Sequence, residues 1–144
     1  MILSAVQESS RDIVAKVEQT LASLQSFQAD FEQTYYATTV SNPLKEKGRV
    51  YLKKPDLVRW EYKDPEEKVI VFKEGLLLTY LPEDNQLFRQ KLAKEQYETE
   101  ILAVLAGKGH LVDKYLIEPN PFPGEGGNTS QLKLTPKEES EYTY

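Results

Sequence analysis

His110 is the one imidazole in a chain of 144 residues that has no cysteine, so acid–base or nucleophilic catalysis would have to be organised around it. It follows Gly107-Lys108-Gly109, a loop setting in which a lone histidine reads first as a polar surface residue. No Gly-x-Ser-x-Gly turn is present to expose a serine. The glycine clusters carry no nucleotide chemistry. Gly107-x-Gly109 lacks a third glycine and follows an apolar helical stretch, and Gly124-x-Gly126-Gly127 is not followed by Lys-Ser/Thr. Carboxylates such as Glu138-Glu139 fall in polar segments where solvation is the simple reading. No metal-ligand spacing occurs, and without cysteine neither a disulfide nor a thiolate zinc site can form. This reading assigns no catalytic residue, no metal and no cofactor.

The balance of 18 basic against 23 acidic residues gives a net charge of −5, which argues against a phosphate-backbone partner and hence against nucleic acid. The length fits one domain with enough interior to do without metal or disulfide staples. No apolar run reaches the roughly 20 residues of a membrane-spanning helix. Met1 to Val6 is too short, and lacks the basic residues, for a secretory leader, so localisation is not written in this stretch.

The elements that would position any site follow from periodicity. Ile13, Val14, Val17, Leu21 and Leu24 recur at helical spacing behind Ser9, with Asp12 three residues on, which predicts a helix from about Ser10 to Leu24. The period then becomes two. Phe27, Ala29 and Phe31 alternate with Gln28, Asp30 and Glu32, a half-buried strand continuing to Tyr36. Further strands are expected from Gly48 to Lys53, Leu57 to Lys63, Val69 to Phe72, Leu76 to Leu81 and Leu87 to Arg89, joined by short turns into an antiparallel meander. A short apolar helix is expected over Glu98 to Ala106, then strands over Leu111 to Ile117 and Gln131 to Thr135. The charge clusters Lys45-Glu46-Lys47 and Glu66-Glu67-Lys68 read as exposed turns. The predicted class is α+β, a single antiparallel sheet of seven or eight strands with one long N-terminal helix and one short apolar one.

One face of that sheet carries Phe27, Phe31, Trp60 and Tyr62 with little helix to cover it. Two readings stand side by side. Those side chains fill an ordinary core, or the curved sheet and its small helix enclose a concave apolar site.

A resemblance bears on the choice. Ser26-Phe27-Gln28-Ala29-Asp30-Phe31-Glu32-Gln33-Thr34 and the segment Gly48 to Tyr62, with its Lys53-Lys54-Pro55 and Trp60, resemble the outer-membrane lipoprotein carrier family, LolA. The likeness continues through Gly75, Leu77 to Pro82, Asn85-Gln86, Ile101 to Leu105 and Leu132 to Lys137. It implies a single carrier domain over residues 1–144, folded as a curved antiparallel sheet, an incomplete, half-open β-barrel covered by an N-terminal helix and a short helical lid. The implied protein is a periplasmic carrier that binds the acyl chains of lipoproteins and moves them from the inner to the outer membrane. It is not an enzyme. Its implied partners are acylated lipoproteins, an inner-membrane ATP-binding cassette lipoprotein-releasing transporter and an outer-membrane lipoprotein acceptor.

On this chain the resemblance implies a lipid-binding cavity lined by Phe27, Ala29, Phe31, Val50, Leu52, Val58, Trp60, Tyr62 and Leu78, with Ile101, Leu102 and Leu105 as the lid. Lys54 takes the place of the family's usual arginine, a latch to the lid backbone, and offers an ammonium instead of a planar fork. Val58 and Leu78 stand where larger aromatic residues are common in the family. The chain also ends soon after Thr135-Pro136-Lys137, before strands that the family usually adds, so an unpaired sheet edge and a strand-exchanged homodimer are expected. A cell-envelope sensor or protein-interaction module on the same scaffold is the alternative reading, and an enzyme acting on lipid or peptide esters through His110 a third.

Overall fold

The computed structural model describes residues 9–93, 104–105, 109–120 and 129–138. Helix α1 runs Ser10–Ser23, and its start obeys the sequence: the Ser9 hydroxyl accepts from the Asp12 amide at 3.2 Å, satisfying one of the donors a first helical turn leaves open. Beyond it the chain turns into six strands, β1 Ser26–Tyr35, β2 Leu44–Lys53, β3 Leu57–Asp64, β4 Lys68–Lys73, β5 Leu76–Leu81 and β6 Gln86–Lys91. They pair in sequence order as one antiparallel sheet. The β4–β5 link is Glu74-Gly75 with φ of 49° and 79°, positive at both central positions as a two-residue hairpin of matching twist demands.

The sheet is an open, curved one, α+β in class and not closed into a barrel. Sequence and structure differ in several of the elements. The strands do not form a single sheet of seven or eight, because among the described residues β7 Tyr115–Pro119 and β8 Leu132–Pro136 pair only with each other. Their apolar residues Tyr115, Ile117, Leu132 and Leu134 pack around Val14, Val104 and Leu111, so the hairpin is committed to α1 and not to the edge of the large sheet. The stretch expected as a strand from Leu111 opens with a helical turn, α2 Leu111–Lys114, before becoming extended at Tyr115. Finally, Lys45-Glu46-Lys47 is not a turn: β2 begins at Leu44 and the three residues pair with β1. Of the short apolar helix, Val104 and Leu105 are helical; Ile101, Leu102 and the rest lie outside the described residues.

Register fixes which side chains share a face, since directly opposed residues of an antiparallel pair point the same way. Leu52, Val58, Phe72 and Leu77 form one row across the sheet; Val50, Trp60, Ile70 and Thr79 form the next; Gly48, Tyr62 and Lys68 form a third. This is the inner face. The outer face is charged over β1–β3, where Arg49 donates to Asp30 at 2.6 Å and that contact holds the Asp30 carboxyl below its ordinary pKa. Over β4–β6 the outer face turns apolar, through Val69, Val71, Leu78, Tyr80 and Leu87. Strand β6 is exposed along its whole length, with Leu87 at 64% and Phe88 at 54%.

Candidate functional site

The inner face holds most of the residues that the sequence singles out. Val50, Leu52 and Val58 are its buried centre, with Phe27, Phe31, Trp60 and Leu105 packed against them. Exposure is 1% at Val58, 3% at Leu52, 5% at Phe72 and 9% at Val50. Tyr62 meets Phe31 edge to face, their ring centroids 5.1 Å apart. Ala29 lies opposite Val50 on the same face, but on the edge strand and exposed.

Leu78 is not on this wall. It pairs with Val71, which pairs with Arg59, so it belongs to the outer face, and the residue of β5 that faces inward is Leu77. A period-two strand makes this a matter of one position: Leu76-Leu77-Leu78 offers three consecutive leucines, and only the register through Phe72 tells which one turns inward. Phe72 and Ile70, which the sequence reading left out of the wall, occupy its first two rows. Their alternation through Val69-Ile70-Val71-Phe72 is masked by an unbroken apolar run.

One end of the face is tied to α1. The Lys54 ammonium donates to the carbonyl oxygens of Leu21 and Ala22, each at 2.7 Å, and the Lys54 amide donates to Gln25 at 2.9 Å. Leu21 and Ala22 lie in the last turn of α1, whose carbonyls have no partner within the helix, and a cation there also meets the negative end of the helix dipole. The latch implied at Lys54 is therefore a bond to α1; both of its described partners are in that helix.

The other end is polar. Lys68 reaches Glu46 at 3.2 Å and stands 4.1 Å over the Tyr62 ring, while the Tyr62 hydroxyl donates to Gln33 at 3.3 Å. Partial burial, with the Glu46 carboxylate nearby, pushes the Tyr62 phenol above its ordinary pKa and keeps it protonated. Gly48 makes the packing here feasible. The β2–β3 register slips between Lys47 and Gly48, and a Cβ at Gly48 would run into the Glu61 carbonyl and the Phe31 ring.

Above the inner face, two adjacent residues go to different interiors. Val104 packs with Val14 and Leu111 against the α1 side, and Leu105 packs on the Val50-Leu52-Val58 centre. Nearby, Glu18 accepts from the Leu111 amide at 2.7 Å and faces His110 Nδ1 at 3.0 Å, joining α1 to the start of α2. A depression of about 410 Å³ opens beside this pair, lined among others by Arg11, Val14 and Val104. His110 is exposed and held by the Glu18 carboxylate, a contact that tethers the start of α2 to α1. Among the described residues no group of three or more His, Asp or Glu side chains could hold a metal ion, and no helix is long and apolar enough to cross a membrane.

The fold is thus a half-barrel-like open sheet with an apolar inner face, tied to α1 at one end and carrying Leu105 packed on its centre. The profile of the family described as "Outer membrane lipoprotein carrier protein LolA" matches residues 22–143, and the chain belongs to that family. Among similar curated proteins, one named outer-membrane lipoprotein carrier protein from Coxiella burnetii is 24% identical over 121 residues, covering 84% of this chain and 57% of the relative. Another of that name, from Methylococcus capsulatus, is 28% identical over 125 residues, covering 87% of this chain and 58% of the relative. The chain thus spans under three fifths of the length of these relatives.

Proposed function

We propose that this protein is a periplasmic carrier that shields the acyl chains of lipoproteins against the inner face of its sheet on their way from the inner to the outer membrane. The observation that carries this reading is the apolar row structure: Leu52, Val58 and Phe72, then Val50, Trp60 and Ile70, form a continuous wall on which, among the described residues, Leu105 packs from the helical segment. Membership of the LolA family supports it. Each methylene removed from water is worth about 0.8 kcal/mol, so a chain of some fifteen of them resists exposure by roughly 12 kcal/mol and needs a shield during transit. Phe27 and Phe31 border the wall on β1, and Leu105, with Ile101 and Leu102 before it in sequence, acts as the lid. The lid side chain lies on the wall here, so loading requires it to lift.

The carrier works as one domain, takes acylated lipoproteins from an inner-membrane ATP-binding cassette transporter, and delivers them to an outer-membrane acceptor. It binds and releases, and breaks no bond. Among the described residues β6 pairs with β5 alone and is exposed along its length, which supports pairing of two copies through that strand, as light scattering at rising concentration would reveal. Carriage is tested by titrating Trp60 fluorescence with a diacylated lipopeptide against its non-acylated peptide. A saturable blue shift with the acylated form alone is expected. No change with either, in folded protein, would leave the sheet as the filled core of an envelope interaction module.

A further inference from the structure

The inner face is not uniform along its strands, and its gradient bears on how a ligand lies there; this rests on the acyl-binding reading above. Rows of cross-strand partners lie about 6.8 Å apart along the strands, two residues per step. At the first row, Leu52, Val58 and Phe72 are all buried, and the Lys54 bonds tie that end to α1. At the second, Val50 is buried and Trp60 and Ile70 are half-buried. At the third, Tyr62 and Lys68 are half-buried, and Glu46 and Gln33 follow on β2 and β1. Burial and apolarity thus decline together toward Glu46 and Lys68.

We propose that Glu46, Lys68 and Tyr62 form a polar collar that receives the carbonyl-bearing root of the acyl chains, so that the chains run from this collar inward with their methyl ends toward Val58 and Lys54. The Lys68 ammonium has three donors, of which Glu46 takes one and holds the group at the border of the apolar wall. An acyl carbonyl arriving there finds a cationic donor, and its chain passes directly onto Phe31 and Trp60. The reverse orientation would strip water from the carbonyls beside Val58, where the neighbouring side chains are hydrocarbon. The ligand class is a glyceryl-linked acyl chain, whether borne by a lipopeptide or by a free glycerolipid.

The test compares three ligands on Trp60 fluorescence: a diacylated lipopeptide, monopalmitoylglycerol, and dodecyl maltoside, whose chain has no acyl carbonyl. Two variants are used. Tyr62→Phe keeps the ring against Phe31 and removes the hydroxyl; the double variant Glu46→Leu/Lys68→Met removes both charges, so neither is left unpaired. The expected result is binding of both acylated ligands weakened about tenfold or more in the double variant, with dodecyl maltoside unchanged. Equal weakening of all three would make the collar merely structural, and no weakening would remove it from the site. Loss for the lipopeptide alone would shift the contact to the peptide and overturn the carbonyl assignment. If wild-type protein bound none of the three, the acyl-binding reading itself would fall, and the collar with it.

Discussion

The ammonium of Lys54 sits between two consecutive carbonyls of α1, 2.7 Å from Leu21 O and 2.7 Å from Ala22 O. A side chain in the turn between β2 and β3 therefore terminates a helix more than thirty positions earlier in the sequence, and replaces the basic last-turn residue that α1 itself lacks. Lys54→Met is expected to cost about 1–3 kcal/mol, since two charge-assisted bonds go and two carbonyls lose their partner. Urea unfolding of the two proteins checks this. Lys54→Arg should recover most of the loss, because the guanidinium can reach both carbonyls.

Val58 is almost entirely enclosed, so its truncation leaves a hole that the paired strands cannot readily close. Val58→Ala is expected to lower stability by about 2 kcal/mol, read as a shift of the urea midpoint at unchanged slope. If the acyl-binding reading holds, the same variant should still blue-shift Trp60 with lipopeptide, since the wall stays apolar.

Gly48 tolerates nothing larger. Gly48→Ala pushes a methyl toward the Glu61 carbonyl and the Phe31 ring, with an expected loss of about 1–3 kcal/mol by thermal or urea unfolding. Gly109, which has φ of 78° but open space around its Cβ direction, should respond to alanine through backbone strain alone.

The Glu18–His110 contact carries a pH signature. Its hydrogen bond to Glu18, and the charge of that carboxylate, raise the His110 pKa above 6.5. A raised value means the folded state holds the proton more tightly. The stabilisation is therefore fully present below about pH 6.5 and fades as pH climbs through the folded value. Melting temperature should fall between pH 6 and pH 8 by a small margin, as suits a pair whose imidazole is exposed, and His110→Gln should remove that part of the slope.

Much of the scaffold was legible in the sequence because its signals are local. The Ser9 cap, the shift to period two at Phe27, and the Glu74-Gly75 turn each act within a few residues, and each stands where expected. What failed was non-local. Whether Tyr115 to Pro119 joins the large sheet or makes a hairpin with Leu132 to Pro136 depends on competition for the apolar side of α1. Likewise Leu77 and Leu78 differ only by register against β4. Glu46 and Lys68 looked like two solvated turn charges because they lie 22 positions apart, and only the β1–β4 meander sets them against Tyr62.

The adjacent residues Val104 and Leu105 work as a two-pronged plug, one prong in the interior shared with α1 and the hairpin, the other in the interior of the large sheet. A single peptide unit separates the prongs. Any displacement of Leu105 from the sheet must therefore also tug at Val104, so that α1 and the β7–β8 hairpin are mechanically coupled to the inner face of the large sheet.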